Sequence, residues 1–151
     1  MPKAYFSAAI CAMVVLLSAS AGAQAPFTGI RWMTDLDAAR VQAEKEGKLL
    51  LVHFWTDGCG PCVHLDSTVF NQPSVGQVIH ESYVPVKLNA GEFPATAERF
   101  GVTRVPMEVV VTPAGHVVEK FVAPATPMAY IGKLDQLAHG YHHNIQRNAG
   151  T

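Results

Sequence analysis

The chain has almost no net charge: 11 Lys and Arg stand against 12 Asp and Glu in 151 residues, a formal −1. Without a basic excess it lacks the electrostatic footprint of a nucleic-acid binder, which excludes that class of partner. Cysteine is scarce too, with three residues, Cys11, Cys59 and Cys62. There is one Cys-x-x-Cys pair and no second one, so a zinc site built on it lacks the two further ligands it would need at metal spacing. Internal repeats, linkers and charge runs are also missing. The length then fits one domain, long enough to bury a core.

Met1-Pro2-Lys3, an apolar run from Ala8 to Leu17 and the small residues Ser18 to Ala25 read as a secretory signal. Cleavage is expected after Ala21-Gly22-Ala23, because a cut after Ala25 would place Pro26 directly beyond the scissile bond. This gives a signal peptide over 1–23 and a domain over 24–151. The alternative is an uncleaved anchor, for which the run is slightly short against the span of about 20 residues that a bilayer needs. Cys11 falls inside the run, lacks a small residue just ahead of it and is expected to leave with the peptide. The mature protein, periplasmic or secreted, keeps Cys59 and Cys62 in a compartment where disulfides persist.

What is present centres on Leu49-Leu50-Leu51-Val52-His53-Phe54-Trp55-Thr56-Asp57-Gly58-Cys59-Gly60-Pro61-Cys62. The apolar and aromatic run, broken only by His53, predicts a central strand covered on both faces. Thr56-Asp57-Gly58 is a turn, and Val63, Leu65, Val69 and Phe70 then fit a helix with Pro61 in its first turn, where no N–H is needed. Cys59 is therefore expected at a helix N-terminus, with Cys62 one turn inside. Orphan N–H groups and the positive end of the helix dipole favour an anion there, so Cys59 is the expected thiolate and nucleophile. Cys62 is the expected resolving thiol, attacking the mixed disulfide that Cys59 forms and closing a Cys59–Cys62 bridge. A purely structural bridge is the weaker reading, since a loop of four residues gains only about 2 kcal/mol from chain entropy.

The remaining elements follow from periodicity and caps. Thr34, with Asp37 three residues later, predicts a helix start, and Leu36, Ala39 and Ala43 share one face up to Gly47. Trp32 just before it reads as a core or edge plug. Asn71-Gln72-Pro73-Ser74 breaks the pattern, Val75, Val78 and Ile79 suggest a short helix ending near Tyr83, Val84 to Asn89 is a strand parallel to the first, and Pro94 to Phe100 a further helix. Met107 to Thr112 and Val117 to Phe121 form a hairpin around Pro113-Ala114-Gly115-His116. Thr126-Pro127 starts a last helix carrying Ile131, Leu134, Ala138 and Tyr141, weakened at Gly140 and followed after His143 by a loose polar tail.

Phe54-Trp55-x-x-x-Cys59-Gly60-Pro61-Cys62, Val86-Lys87-Leu88-Asn89 and Arg104-Val105-Pro106 resemble, in that order, the landmarks of the thioredoxin family, over about Trp32 to Ala138. The segment Val69-Phe70-Asn71-x-Pro73 is similar to exported members. The resemblance implies an α/β thioredoxin fold, a mixed central sheet flanked by helices, and a thiol–disulfide oxidoreductase acting on client proteins as a monomer, with a redox-active Cys59–Cys62 disulfide and no organic cofactor. It implies that Pro106 is cis and faces the cysteines, that the backbone of Val105 pairs with substrate, and that Trp55, Gly58, Gly60 and Pro61 line the groove. Gly58 stands where the family usually has tryptophan, and Met107 where threonine is common.

His53 occupies the place of a buried family aspartate that handles the proton of the resolving thiol; an imidazole suits the same task, or it is a core histidine bonded to a backbone carbonyl. Lys87 matches a lysine near that acid, or is a lysine with a solvated head. The Gly60-Pro61 dipeptide matches the reducing members, and a reductant in an oxidising compartment implies a membrane-side thiol donor. His64, His139, His142 and His143 read as surface residues. Two other readings stay open: a copper-type chaperone using Cys59, Cys62 and His64, and an idle binding module that keeps only the groove.

Overall fold

Leu49–Trp55 forms β1, and six of its seven residues are buried, as its apolar run predicts. The computed structural model describes residues 29–149, so the expected signal segment, its cleavage site and Cys11 lie outside the described residues. β2 (Tyr83–Asn89) pairs parallel to β1 on one side, and β3 (Met107–Val111) pairs antiparallel on the other. β4 (Val117–Phe121) closes the order β2-β1-β3-β4, a mixed sheet with β1 inside it. Met33 adds one parallel bridge to Val86 beyond the β2 edge.

Because side chains alternate along a strand, β1 feeds two cores. Leu50, Val52 and Phe54 point to the face covered by α1 (Leu36–Glu46) and α4 (Pro94–Arg99), where Ala39, Ala43, Ala97 and Phe100 pack. Leu49 and Leu51 point to the opposite face, under the helix that follows the cysteines, α3 (Pro73–Ser82) and α5 (Pro127–Ala149). Each fully buried Leu or Phe contributes about 1.5–3 kcal/mol of apolar burial, which is why so continuous a run settles at the sheet centre.

Some local expectations are corrected. The N-cap of α1 is Asp35 and not Thr34: its Oδ1 accepts from the N–H groups of Asp37 and Ala38, each at 2.9 Å, where a carboxylate also complements the helix dipole. Gly47 ends that helix at φ 65°, as expected of a glycine stop. α2 (Gly60–Leu65) passes into a π-helical turn over Asp66–Phe70. The hydroxyls of Ser67 and Thr68 both donate to the carbonyl of His64, at 2.9 and 2.7 Å, a competition with the backbone ladder that accompanies the widened turn. Cys62, Leu65, Val69 and Phe70 face inward, while Val63, expected on that face, is 66% exposed. At the other end of the chain, α5 does not stop near His143 but runs through Gly140 to Ala149. Leu134, Leu137 and Ala138 are buried in the core that α5 shares with α3, and that packing overrides the low propensity of one glycine. Among the described residues, no helix is long and apolar enough to cross a membrane.

Candidate active site

β1 delivers the cysteines. After Trp55 the chain turns through Thr56-Asp57-Gly58, with Cys59 N–H donating to the carbonyl of Thr56 at 3.3 Å. Gly58 has φ 71°, a left-handed conformation that a side chain makes costly by about 1–2 kcal/mol. The turn is tied to β2 by Asn89, whose amide donates to Asp57 Oδ2 at 3.2 Å, and by Ala90 N–H to the carbonyl of Trp55 at 2.8 Å.

Cys59 is the N-cap of α2 and Pro61 lies in its first turn, as expected. The Cys59 Sγ accepts the N–H of Cys62 at 3.2 Å, so the sulfur already sits where a helix N-terminus offers its free donors. The two cysteines form a disulfide, with Cys59 partly exposed and Cys62 2% exposed. Only Cys59 is open to an incoming partner.

The loop before β3 shares a hollow with α2. The Val105–Pro106 peptide is cis, as the resemblance implies. Pro61, Val105, Pro106 and Val122 border a mainly apolar hollow of about 290 Å³ that also reaches His64 and Ala123. On the other side of Arg104 and Val105 a second hollow, of about 480 Å³, is lined by Thr56, Ala90, Ala97 and Val102. Gly60 is exposed, and a Cβ there would meet nothing within 4 Å, so its smallness leaves open space beside the disulfide.

Lys87 and His53 are neighbours in the β1–β2 register, but they do not pair. Lys87 Nζ binds both carboxylate oxygens of Asp66, at 2.7 and 2.9 Å, and lies 5.5 Å from the ring centre of Trp55 and 6.0 Å from that of Trp32. It is therefore neither a freely solvated lysine nor the partner of a buried acid: it ties the thiol-bearing helix to β2. Trp32 is a core plug as expected, edge-on to Phe70 at 5.3 Å.

His53 is fully buried and its Nδ1 lies 2.7 Å from Oε1 of Glu108, which is buried as completely. The expected backbone-carbonyl partner is thus replaced by a carboxylate. The ring is packed by Phe70 at 5.0 Å and Trp32 at 5.8 Å. Tyr130 on α5 completes the cluster, its phenol pushed well above the ordinary 10 by burial first and by the nearby Glu108 carboxylate second. Sequence reasoning missed Glu108, an acid inside β3. Its signal was available: a lone acid in an otherwise apolar strand, as His53 is a lone imidazole in β1.

No group of three or more His, Cys, Asp or Glu side chains is placed to hold a metal ion among the described residues, so Cys59, Cys62 and His64 do not form a preformed cage. His64, His139, His142 and His143 are exposed, as expected of surface residues.

A family model described as thioredoxin-like matches residues 31–113. Thioredoxin 2 of Chlorobaculum tepidum is 30% identical over 89 residues, which is 59% of this chain and 78% of the relative. Among solved structures, a DsbH oxidoreductase superposes with a TM-score of 0.68 over 76% of this chain and 88% of the other, at 13% identity. The reduced C-terminal domain of DsbD from Neisseria meningitidis does so with a TM-score of 0.56 over 67% and 92%, at 26% identity. By its family match, its fold and its bridged Cys59–Cys62 pair, this chain belongs to the thioredoxin-like family and is a protein-disulfide oxidoreductase.

Proposed function

We propose that the protein is an exported, monomeric reductant of disulfides in client proteins, with Cys59 as the attacking thiolate and Cys62 as the resolving thiol. The observation that carries this reading is the position of Cys59: partly exposed, capping α2, and accepting the Cys62 N–H. In the reduced state the same donor and the helix dipole favour a thiolate at that sulfur. The thiolate attacks one sulfur of a client disulfide, the client S–S bond breaks, and the other client sulfur leaves as a thiolate that takes a proton from water. Cys62 then gives up its proton and attacks Cys59 Sγ, forming the Cys59–Cys62 bond and releasing the second client thiolate. Two electrons pass from the protein dithiol to the client, and both reside in the thiols, so the cycle needs no organic cofactor.

The mainly apolar hollow beside Pro61, Val105 and Pro106 supports docking of an extended client segment against the Val105 backbone, with strand-like pairing for affinity and little side-chain discrimination. Gly58, exposed and without a side chain, leaves the rim open. The reducing direction rests on the Gly60-Pro61 dipeptide, which places no charged or imidazole group between the cysteines to over-stabilise the thiolate. A less stabilised thiolate means a more stable disulfide, so the reduction potential should lie near the reference value of about −270 mV for thioredoxin and not near about −120 mV for DsbA. Export rests on the pattern of Met1 to Ala25, and a membrane-side thiol donor would then keep Cys59 reduced.

Trapping tests the reading. A Cys62→Ser variant should hold clients as mixed disulfides on Cys59, released by dithiothreitol, while Cys59→Ser holds none. Equilibration against glutathione gives the potential, and a value above about −160 mV would place the protein with the oxidants and sink the reducing direction.

A further inference from the structure

We propose that Glu108 is a positioning residue for the resolving step: its carboxylate accepts the Nδ1–H of His53 and so leaves His53 Nε2 unprotonated, as acceptor for the Cys62 proton. This deepens the reading above and rests on it. His53 and Glu108 stand opposite each other in the antiparallel β1–β3 register, which fixes both side chains on one face. Their 2.7 Å contact has the length of a charge-assisted hydrogen bond. His53 Nε2 is buried without a hydrogen-bond partner among the described residues. Leaving a buried polar atom unpaired is costly, and a pair serving only stability has no reason to keep Nε2 open.

The pair lies under the thiol-bearing helix. Leu49 and Leu51 share a core with Leu65, Val69 and Phe70 of that helix, and His53 is the next position of β1 on the same face. Cys62 is the buried position of α2 one turn before Leu65. Glu108 stands two residues beyond the cis Pro106, so the same short strand carries the client-facing loop and the buried carboxylate.

The lysines that face the dyad are engaged elsewhere, and the phenol that faces it is neutral. From α5 comes Tyr130, a phenol that burial keeps neutral and that interacts with the Glu108 carboxylate. From β2 comes Lys87, engaged by Asp66. Near Phe121, the register partner of Glu108 on β4, Lys133 of α5 is paired with Glu119. With Nδ1–H bonded to a carboxylate, Nε2 can take the Cys62 proton; the imidazolium formed is held by Glu108, the Cys62 thiolate attacks Cys59 Sγ, and the client thiolate departs. If instead Glu108 held a proton, it would donate to Nδ1, and Nε2 would carry a hydrogen and accept nothing.

Ellman's reagent separates the two thiol steps, since attack by Cys59 releases one thionitrobenzoate and resolution by Cys62 a second. In Glu108→Gln the ratio of second to first rate constants should fall about tenfold or more at neutral pH. The second rate should also climb about tenfold per pH unit between about pH 6 and 8, as an unassisted thiol does, where the wild type is flatter. A wild-type ratio and profile in the variant, or a loss by the same factor at every pH, overturns the proposal. Imidazole ¹⁵N shifts of the reduced wild type provide a measurement that needs no variant: Nε2 should be unprotonated when the ring is neutral, and a protonated Nε2 overturns it. Absence of any second release in the wild type would instead remove Cys62 as resolver, and the reading this rests on would fail first.

Discussion

Cys59 and Cys62 share one turn of helix, yet their surroundings separate them. A reagent reaches Cys59 from solvent, and the donor that would stabilise its thiolate is the N–H of Cys62. Cys62 is buried and out of a reagent's reach. Iodoacetamide applied to the reduced protein at neutral pH should therefore alkylate Cys59 first, and mass mapping of the modified peptide reads the site. Alkylation of Cys62 ahead of Cys59 would reverse the two roles. This difference was legible in the sequence, because Pro61 can stand only in a first helical turn and so fixes which cysteine caps. The partner of His53 was not legible. A charged residue in a strand such as Met107–Val111 says nothing about which face it occupies until the register is known, and only the opposition of His53 and Glu108 turns two isolated polar residues into a pair.

Among the elements, the strands and helix starts were readable wherever backbone chemistry forces them. Pro94 and Pro127 each open a helix and Gly47 closes one, whereas Pro73, read as part of a break, in fact starts α3. The ends that depend on packing were not readable: α5 crosses Gly140 because Leu137 and Ala138 are held in the core shared with α3. Nor was the π turn after Leu65, which involves hydroxyls competing for one carbonyl.

The joint between α3 and the segment ahead of α1 has a consequence that depends on pH. His80 Nε2 accepts the N–H of Arg31 at 3.0 Å, and burial first, then the charges of Arg31 and Lys48, hold its pKa below the ordinary 6.5. A histidine whose folded pKa is depressed contributes stability above its unfolded value and loses it as pH falls below that value toward the folded pKa. Melting temperature should accordingly drop between about pH 7 and 5, and drop less in His80→Gln, which keeps an acceptor but cannot titrate there. Parallel curves for the two proteins would remove His80 from the acid response.

At the level of the whole molecule, the site is assembled from distant parts of the chain at one end of the sheet. β1 runs toward it and β3 away from it, so antiparallel pairing of the two brings the Cys59 turn and the Pro106 loop together without any dedicated connector. β1 is hydrogen-bonded on both sides and packed on both faces, whereas β4 is an edge strand with most of its residues exposed. In deuterated buffer, the amides of Leu50 to Phe54 should exchange only with opening of the entire domain, while those of β4 exchange through smaller local openings at lower free energy. Exchange of the β1 amides at the rate of β4 would contradict that order. The thiols are thus fastened to the segment that loosens last. Mild denaturant that frays the β4 edge should leave turnover unaltered, and inactivation should coincide with the global midpoint, since the strand that leads into Cys59 has no way to open by itself.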